Sequence, residues 1–161
     1  VGCVYDFPVD RQPFAQAHFY GIFPAAMAAR LGRVANAAAF RRVPYIGLST
    51  EDPLGPTSSA RLNAALKSAN FKLSPIVEVK TNQIAVSLVQ RGAGAAIVDQ
   101  YTAAASDLSR VVVRPLSINV SFDVNTMRAR HLPSSLLSKE FVSVLAQTER
   151  ELSWKIATIS G

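Results

Sequence analysis

The sequence predicts an α/β fold built around a parallel sheet. The main evidence is the segment Val77 to Tyr101, VEVKTNQIAVSLVQRGAGAAIVDQY, whose apolar residues first alternate, then recur every three or four positions, then form an unbroken run. This change of period is typical of a strand, a helix and a buried strand in succession. A second buried strand is predicted at Pro44 to Leu48. Parallel strands need helical connections of this kind.

The ends of the helix inside this segment have local signals. Thr81 stands at the N-cap position, where its hydroxyl can accept from a free backbone N–H of the first turn. Gly92 suits the left-handed residue that closes a helix, and Gly94 lets the next strand start close to it. We therefore expect the helix start and the strand exit at Asp99-Gln100 to meet at one edge of the sheet.

The chain before this segment is predicted from composition and period. A strand cannot start a stable sheet without neighbours, so Val1 to Phe7 indicates a chain that starts mid-fold. Pro24 interrupts an apolar, β-leaning segment and marks an edge or a crossing. In order, we expect a strand at Val1 to Phe7, a surface loop at Pro8 to Gln16, a strand at His18 to Met27, a short helix within Val34 to Phe40, a stop at Pro53 to Pro56, and a helix capped by Thr57 with Leu62, Ala65, Leu66 and Ala69 on its apolar face.

The chain after the central segment continues the alternation of strands and helices. Ile118, Val120, Phe122 and Val124 alternate and predict a long strand with one buried face. The remaining predictions are a short helix or turn at Thr102 to Ser106, a strand at Val111 to Val113, a strand at Ile118 to Met127, and a last helix from Ser134 with an apolar stripe of Leu137, Phe141, Val144, Leu145, Thr148 and Leu152.

Composition limits the classes of function. With 161 residues, 49% of them hydrophobic and 17% charged, the chain is globular and forms one domain or two small ones. It has neither an apolar run of about 20 residues nor a signal peptide at its start, so we expect no membrane span and no export. The single cysteine, Cys3, excludes an intramolecular disulfide and suits the cytoplasm. The net charge of +6 is scattered and indicates a solvated surface rather than a nucleic-acid track.

Polar residues converge at one predicted edge of the sheet and form the candidate binding site. Hydroxyl and amide side chains at a helix N-terminus can hold a carboxylate. The alternative is ordinary capping and turn chemistry. The candidate residues are Ser49, Thr50, Thr81, Asn82, Gln83 and Asp99.

Other chemistry-bearing residues have simpler interpretations. The two histidines, His18 and His131, are expected to be structural or exposed, and Cys3 to be a small core residue. Asn119 begins a glycosylation-like triplet, but within a strand of an apparently cytoplasmic protein. We predict no catalytic residue, no metal site and no cofactor.

Three segments carry a resemblance to a known family: YIGLSTEDPLG, the central segment extended to TAA, and VVVRPLSINVSFDVNTMRARHLPSS. Their order resembles the effector-binding domain of LysR-type transcriptional regulators, in the branch of the lysine-biosynthesis activator and the opine-catabolism regulators. The resemblance implies a type-II periplasmic-binding-protein fold, with two α/β subdomains joined by crossing strands. The strands would be His18 to Met27 and Ser121 to Arg130. Residues 1–18 and 126–161 would be a remnant of the first subdomain, and 19–125 the second.

The resemblance also implies a function. The domain would bind a small amino-acid-derived or opine-like effector between the subdomains, in the cytoplasm, as part of a homo-oligomer. DNA would be bound only by a winged helix-turn-helix that these residues lack. A periplasmic-type solute-binding protein of the same fold is the alternative. An enzyme on this fold, such as a bilane synthase, would need a reactive cysteine or an array of carboxylates and arginines in the cleft, which the sequence does not offer.

Overall fold

The computed structural model describes residues 8–50 and 58–160. The predictions for the strand Val1 to Phe7, the stop at Pro53 to Pro56, Cys3 and the Thr57 cap lie outside these residues. Within them, no helix is both long and apolar enough to cross a membrane.

The described residues form one mixed sheet with helices on both faces. The main sheet has the order β3-β2-β4-β1-β5, and β6 pairs with β1 outside this path. The strands are β1 (Val9–Pro24), β2 (Tyr45–Leu48), β3 (Pro75–Val79), β4 (Ala95–Asp99), β5 (Val111–Pro115) and β6 (Ser121–Ala129). The helices are α1 (Ala37–Phe40), α2 (Ser58–Ser68), α3 (Asn82–Gln90), α4 (Gln100–Ala104) and α5 (Leu136–Ser160), with a 3-10 helix at Ala25–Arg30.

The predicted strand–helix–strand unit is confirmed as β3, α3 and β4. Its two strands are parallel but not adjacent, because β2 lies between them and pairs in parallel with both. Gly92 follows α3 with a φ of +79°, the left-handed conformation expected there. Gly94 has a φ of +157°, and a Cβ at this position would overlap the carbonyl oxygen of Pro44. Gly94 therefore permits the close start of β4.

Two predictions for the first crossing strand were wrong. The segment Pro8 to Gln16 is not a loop: residues Val9 to His18 pair antiparallel with β6, so they form the crossing ladder. The second half of β1, Phe19 to Pro24, is a central strand between β4 and β5, and Met27 lies in the 3-10 helix. The second crossing strand, predicted at Ser121 to Arg130, is confirmed within one residue by β6.

Prolines and charged residues in the first half of β1 explain why the sequence predicts a loop there. Pro13 lacks a backbone N–H, and it lies next to a register shift between Pro13 and Ala15, where a bulge tolerates it. The charges lie on exposed surface. Asp10 accepts from Arg130 at 2.9 Å and lies 3.5 Å from Arg128 on β6. The hydrogen bond from Arg130, opposed in part by desolvation, lowers the pKa of Asp10.

Two apolar cores lie on the two faces of the main sheet. One packs α3, α4 and the end of α5 against the sheet through Ile22, Ile46, Val86, Val89, Val98 and Ile156. The other packs α1 and α2 and is rich in aromatic residues, with Phe23, Phe40, Tyr45 and Phe71. The Phe23 and Phe40 rings lie 4.8 Å apart between centroids. Both cores lie mainly on the main sheet, and the β1–β6 ladder adds Phe122 at the border of the second core.

Helix α5 is only partly packed. It begins at Leu136, two residues after the predicted Ser134, and Ser135 accepts from the N–H of Ser138 at 3.1 Å. Near its end, Ile156 is 3% exposed and part of the core. Near its start, Leu137 is 80% and Phe141 66% exposed. The predicted stripe exists, but its first half stays largely exposed beside the cavity that separates α5 from β6.

Candidate ligand site at the carboxyl edge of the sheet

The carboxyl ends of β2, β3 and β4 meet at one edge, as expected for parallel strands. The register pairs Leu48 with Val79, and the N–H of Ser49 extends the ladder by donating to the carbonyl oxygen of Val79 at 2.9 Å. Ser49 is thereby held beside the residue that precedes Lys80 and Thr81. The next residue, Thr50, is exposed.

Helix α3 starts at this edge with its first turn partly unsatisfied. Thr81 is the N-cap: its Oγ1 accepts from the N–H of Ile84 at 3.3 Å, and its carbonyl accepts from Ala85 at 3.2 Å. The first N–H groups of a helix have no partner within it. For Asn82 and Gln83 no other part of the described chain supplies one either. These two donors point along the helix axis, where the dipole favours an anion.

Asp99 connects α3 to the exit of β4. Its Oδ2 accepts from the Nδ2 of Asn82 at 2.6 Å, and from the Oγ1 of Thr102 at 2.7 Å. Its Oδ1 accepts from the N–H of Thr102 at 2.9 Å, which makes Asp99 the N-cap of α4. A carboxylate has about four acceptor positions, so three internal donors leave room for about one more. The Asn82 amide is thus fixed with its carbonyl oxygen away from Asp99.

The six predicted site residues are therefore not equivalent. Asn82 and Asp99 contact each other, and Ser49 and Thr81 are held at the same edge by backbone and capping bonds. The side chains of Thr50, Thr81 and Gln83 are exposed. Thr81 and Asp99 both act as helix caps, which is the alternative interpretation. In its cap Thr81 accepts a hydrogen bond, so its hydroxyl hydrogen can still donate to a ligand. The binding role of the six residues stays a prediction.

Gln100 and Thr102 were not among the predicted site residues. Gln100 is 3% exposed; its Oε1 accepts from the N–H of His18 at 3.0 Å, and its Nε2 donates to Ser153 Oγ at 3.3 Å. Thr102 could have been found from the sequence, since an Asp directly after a buried strand is typical of an N-cap, which accepts from the N–H two or three positions later. Gln100 carries no such local signal.

Tyr101 lies beside these residues, at the start of α4. Burial raises the pKa of its phenol, and the Glu149 and Asp99 carboxylates raise it further. Tyr101 therefore stays protonated at neutral pH. Among the described residues, no cluster of three His, Cys, Asp or Glu side chains could hold a metal ion.

Three cavities among the described residues are lined by none of the predicted site residues. One, of about 550 Å³, lies between α2 and β3 and is lined by Tyr45, Lys67 and Glu78; we call it the α2–β3 groove. Another, of about 600 Å³, lies between α5 and the crossing ladder, near Met127 and Phe141. The third, of about 330 Å³, surrounds the strand switch of β1.

Comparison with family models gives one assignment. Residues 3–150 match the LysR substrate-binding domain. A search of curated proteins gives no match. The family match spans all six candidate residues and both crossing strands. Domains of LysR-family regulators are not enzymes, so no catalytic role is assigned to any residue.

Comparison with solved structures gives the same fold. The chain is similar to CbnR, a LysR family transcriptional regulator, with a TM-score of 0.63 and 16% identity over 76% of this chain and 42% of CbnR. It is similar to the effector-binding domain of QuiR in complex with shikimate, with a TM-score of 0.61 and 12% identity over 89% of this chain and 66% of that one.

The regulatory domain of CcmR from Synechocystis PCC6803, in complex with 2-PG, is a third similar structure. Its TM-score is 0.65, with 12% identity over 89% of this chain and 68% of that one. The chain thus spans less than half of CbnR and about two thirds of the isolated effector domains. At these identities the likeness concerns the fold, and it confirms the α/β, type-II periplasmic-binding-protein architecture.

Proposed function

This chain belongs to the LysR substrate-binding domain family, and we propose that it senses a small effector for a LysR-type transcriptional regulator. The observation that carries the proposal is the edge formed by Ser49, Thr81 and Asp99, where two helix N–H donors lie beside a carboxylate. Ligands of open α/β sheets bind at the carboxyl ends of the strands. The similarity to effector domains in complex with shikimate and 2-PG supports a small-molecule role.

We infer an amino-acid-derived effector, in line with the resemblance to sensors of lysine and opines. Its carboxylate would accept from the Thr81 hydroxyl and from the N–H groups of Asn82 and Gln83. Ser49 and Thr50 would hydrogen-bond another polar group of the ligand. An amino or guanidino group would use the remaining acceptor position of Asp99. The edge thus offers an anion site and a cation site side by side, which suits a zwitterion.

The proposed mechanism is a shift between two orientations of the subdomains. Residues 1–18 and 126–161 would belong to the first subdomain, and 19–125 to the second, with the crossing strands between them. An effector that contacts both subdomains favours the orientation that it binds more tightly. Only this difference in affinity can shift the equilibrium between the two orientations. The response would reach DNA through a winged helix-turn-helix outside these residues, in a cytoplasmic homo-oligomer.

The test is calorimetry on the full-length regulator with lysine, diaminopimelate, arginine and opines. Thr81→Val removes the hydroxyl and keeps the shape of the side chain. Losing a hydrogen bond to a charged group costs about 1.5–3 kcal/mol, so we expect affinity to fall roughly ten- to a hundredfold. Thr148→Val is the matched control, because Thr148 is an exposed α5 residue whose hydroxyl donates to Val144.

Two results would count against the proposal. Unchanged affinity in Thr81→Val for a ligand that binds would remove Thr81 from the site. Absence of binding by all four ligand types would overturn the amino-acid class, while leaving the family and the fold untouched.

A further inference from the structure

The side chain of Gln100 joins three separate elements. It is buried at 3% exposure in α4. Its Oε1 accepts from the backbone N–H of His18 in β1 at 3.0 Å, and its Nε2 donates to Ser153 Oγ in α5 at 3.3 Å. Ser153 in turn donates to Glu149 Oε1 at 2.6 Å. Because a backbone N–H can only donate, the amide orientation is fixed and the hydrogen bonds run in one direction.

The bond to His18 lies where β1 changes partner. The ladder between β1 and β4 ends at the pair Phe19 and Asp99, while His18 already pairs with Ser121 in β6. The next residue of β4 would be Gln100, but its backbone has entered α4. The side-chain oxygen of Gln100 replaces the missing ladder acceptor. Gln100 therefore holds the residue at which the crossing strand joins the main sheet.

The other side of Gln100 is the candidate ligand edge. Asp99 precedes it in the chain, caps α4 and accepts from Asn82 at 2.6 Å. Asp99 is hydrogen-bonded to Asn82 of α3 and to Thr102 of α4. A movement of Asn82 would therefore tilt α4 and displace Gln100, which lies in its first turn. Helix α5 has 25 residues, about 37 Å of helix, and its first half extends along the crossing ladder beyond the main core.

We propose that Gln100 is a positioning residue that couples the ligand edge, through Asp99, to the strand switch of β1 and to α5. The inference rests on the proposed effector role of the edge, because only a ligand there would make use of this link. Gln100 itself touches no ligand. A polar residue that only satisfies buried groups would stabilise its surroundings but would not transmit a change made at Asn82.

A double-mutant cycle without ligand distinguishes these roles. Asn82→Ala perturbs the edge, Gln100→Leu removes both hydrogen bonds with little change of shape, and the two are combined. The readout is amide-resolved NMR of the 161-residue chain: exchange rate and chemical shift at His18 and at residues 149–156. Coupled residues give non-additive effects, whereas independent ones add.

When Gln100 is present, we expect Asn82→Ala to change the exchange rates and chemical shifts of the His18 and α5 amides. In the Gln100→Leu background, Asn82→Ala should cause no further change at either place. Gln100→Leu alone should accelerate exchange at His18 about tenfold, the effect of one lost hydrogen bond. Asn63→Ala, an exposed amide of α2, is the control for the edge. Lys155→Met is the control for α5, because Lys155 Nζ donates to the Ala104 carbonyl and the variant so removes a different hydrogen bond between α4 and α5.

Additive effects of Asn82→Ala and Gln100→Leu would overturn the inference, as would an Asn82→Ala effect confined to α3 and α4. If Gln100→Leu does not fold, Ser153→Ala replaces it in the cycle. This variant removes only the hydrogen bond from Gln100 to α5, so the Asn82→Ala effect should then persist at His18 and weaken at residues 149–156. Since no effector is added, failure here leaves the proposed function standing, and failure of the calorimetry leaves this result standing.

Discussion

At the scale of single residues, Tyr45 gives the stability of the domain a specific pH dependence. Burial, and secondly the Glu78 carboxylate, raises the pKa of its phenol from 10.0 to about 12. Below about pH 10 the folded and unfolded chains both keep this proton, so the stabilisation is fully present. Between pH 10 and 12 only the unfolded chain loses it. We expect Tyr45 to lower the free energy of unfolding by about 2–3 kcal/mol over this interval.

The measurement is urea unfolding of the wild type and Tyr45→Phe from pH 8 to 12. The difference between the two curves isolates Tyr45 from the other titrating groups, Tyr101 included. The wild type should lose stability relative to the variant above pH 10. Parallel curves over the whole range would mean that the Tyr45 phenol ionises freely in the folded protein.

The sequence predicts single residues where the physics is local. Thr81 caps α3 as expected, because a cap depends on residues three positions away. For Asp99 the sequence allows either capping or ligand binding, and the structure shows the cap. Gln100 could not be identified, because its partners His18 and Ser153 lie 82 and 53 residues away in the chain. Its role follows from where the strands and α5 meet.

At the scale of elements, the two glycines around the start of β4 form a matched pair. Both have positive φ, but an added Cβ meets nothing within 4 Å at Gly92, whereas at Gly94 it overlaps the Pro44 carbonyl. Gly92→Ala should therefore lower the free energy of unfolding only by the conformational strain, about 1–2 kcal/mol. Gly94→Ala should lower it by clearly more, because the overlap of the new Cβ with the Pro44 backbone adds to the strain. Thermal unfolding of both variants tests this order, and equal losses would contradict it.

As with single residues, helices and strands are predictable where their signals lie close together in the sequence. The unit β3, α3 and β4 was predicted because its signals lie within 25 residues. The first half of β1 was predicted as a loop because Pro8, Pro13 and its charges look unfavourable for a strand. It is a strand because β6, whose Arg128 is 118 residues from Asp10, supplies its hydrogen bonds. Local propensity yields to tertiary pairing in such segments.

At the scale of the whole molecule, the exposed half of α5 should drive association of the 161-residue chain. Leu137, Phe141 and Val144 are 60–80% exposed and share one face of α5, and Phe141 also lines the cavity between α5 and β6. Exposed apolar patches of this kind promote association. We expect sedimentation velocity to show concentration-dependent oligomers, and Phe141→Ser to shift them towards monomer. Trp154→Ser, an exposed aromatic of the same helix outside this stripe, is the control. A clean monomer at high concentration would refute the expectation.

The exposure of this stripe was not predictable from its period. The sequence gives the spacing of Leu137, Phe141 and Val144, but the spacing says only that they share a face. Which face is covered depends on what packs against it, and the two cores of the described chain take up only the Leu152 and Ile156 end of α5. The division into subdomains at 18/19 and 125/126 likewise stays a prediction, although β1 changes partner at His18 and Phe19.

We propose that an effector binds at the carboxyl edge of β2, β3 and β4. The most direct measurement is an amide-resolved NMR titration of the chain with lysine, diaminopimelate, arginine and opines. If the effector binds there, the amide signals of Ser49 and Thr50, of Thr81 to Gln83 and of Asp99 should shift saturably. Saturable shifts confined to another place, such as the α2–β3 groove around Tyr45 and Glu78, with the edge amides unmoved, would contradict it.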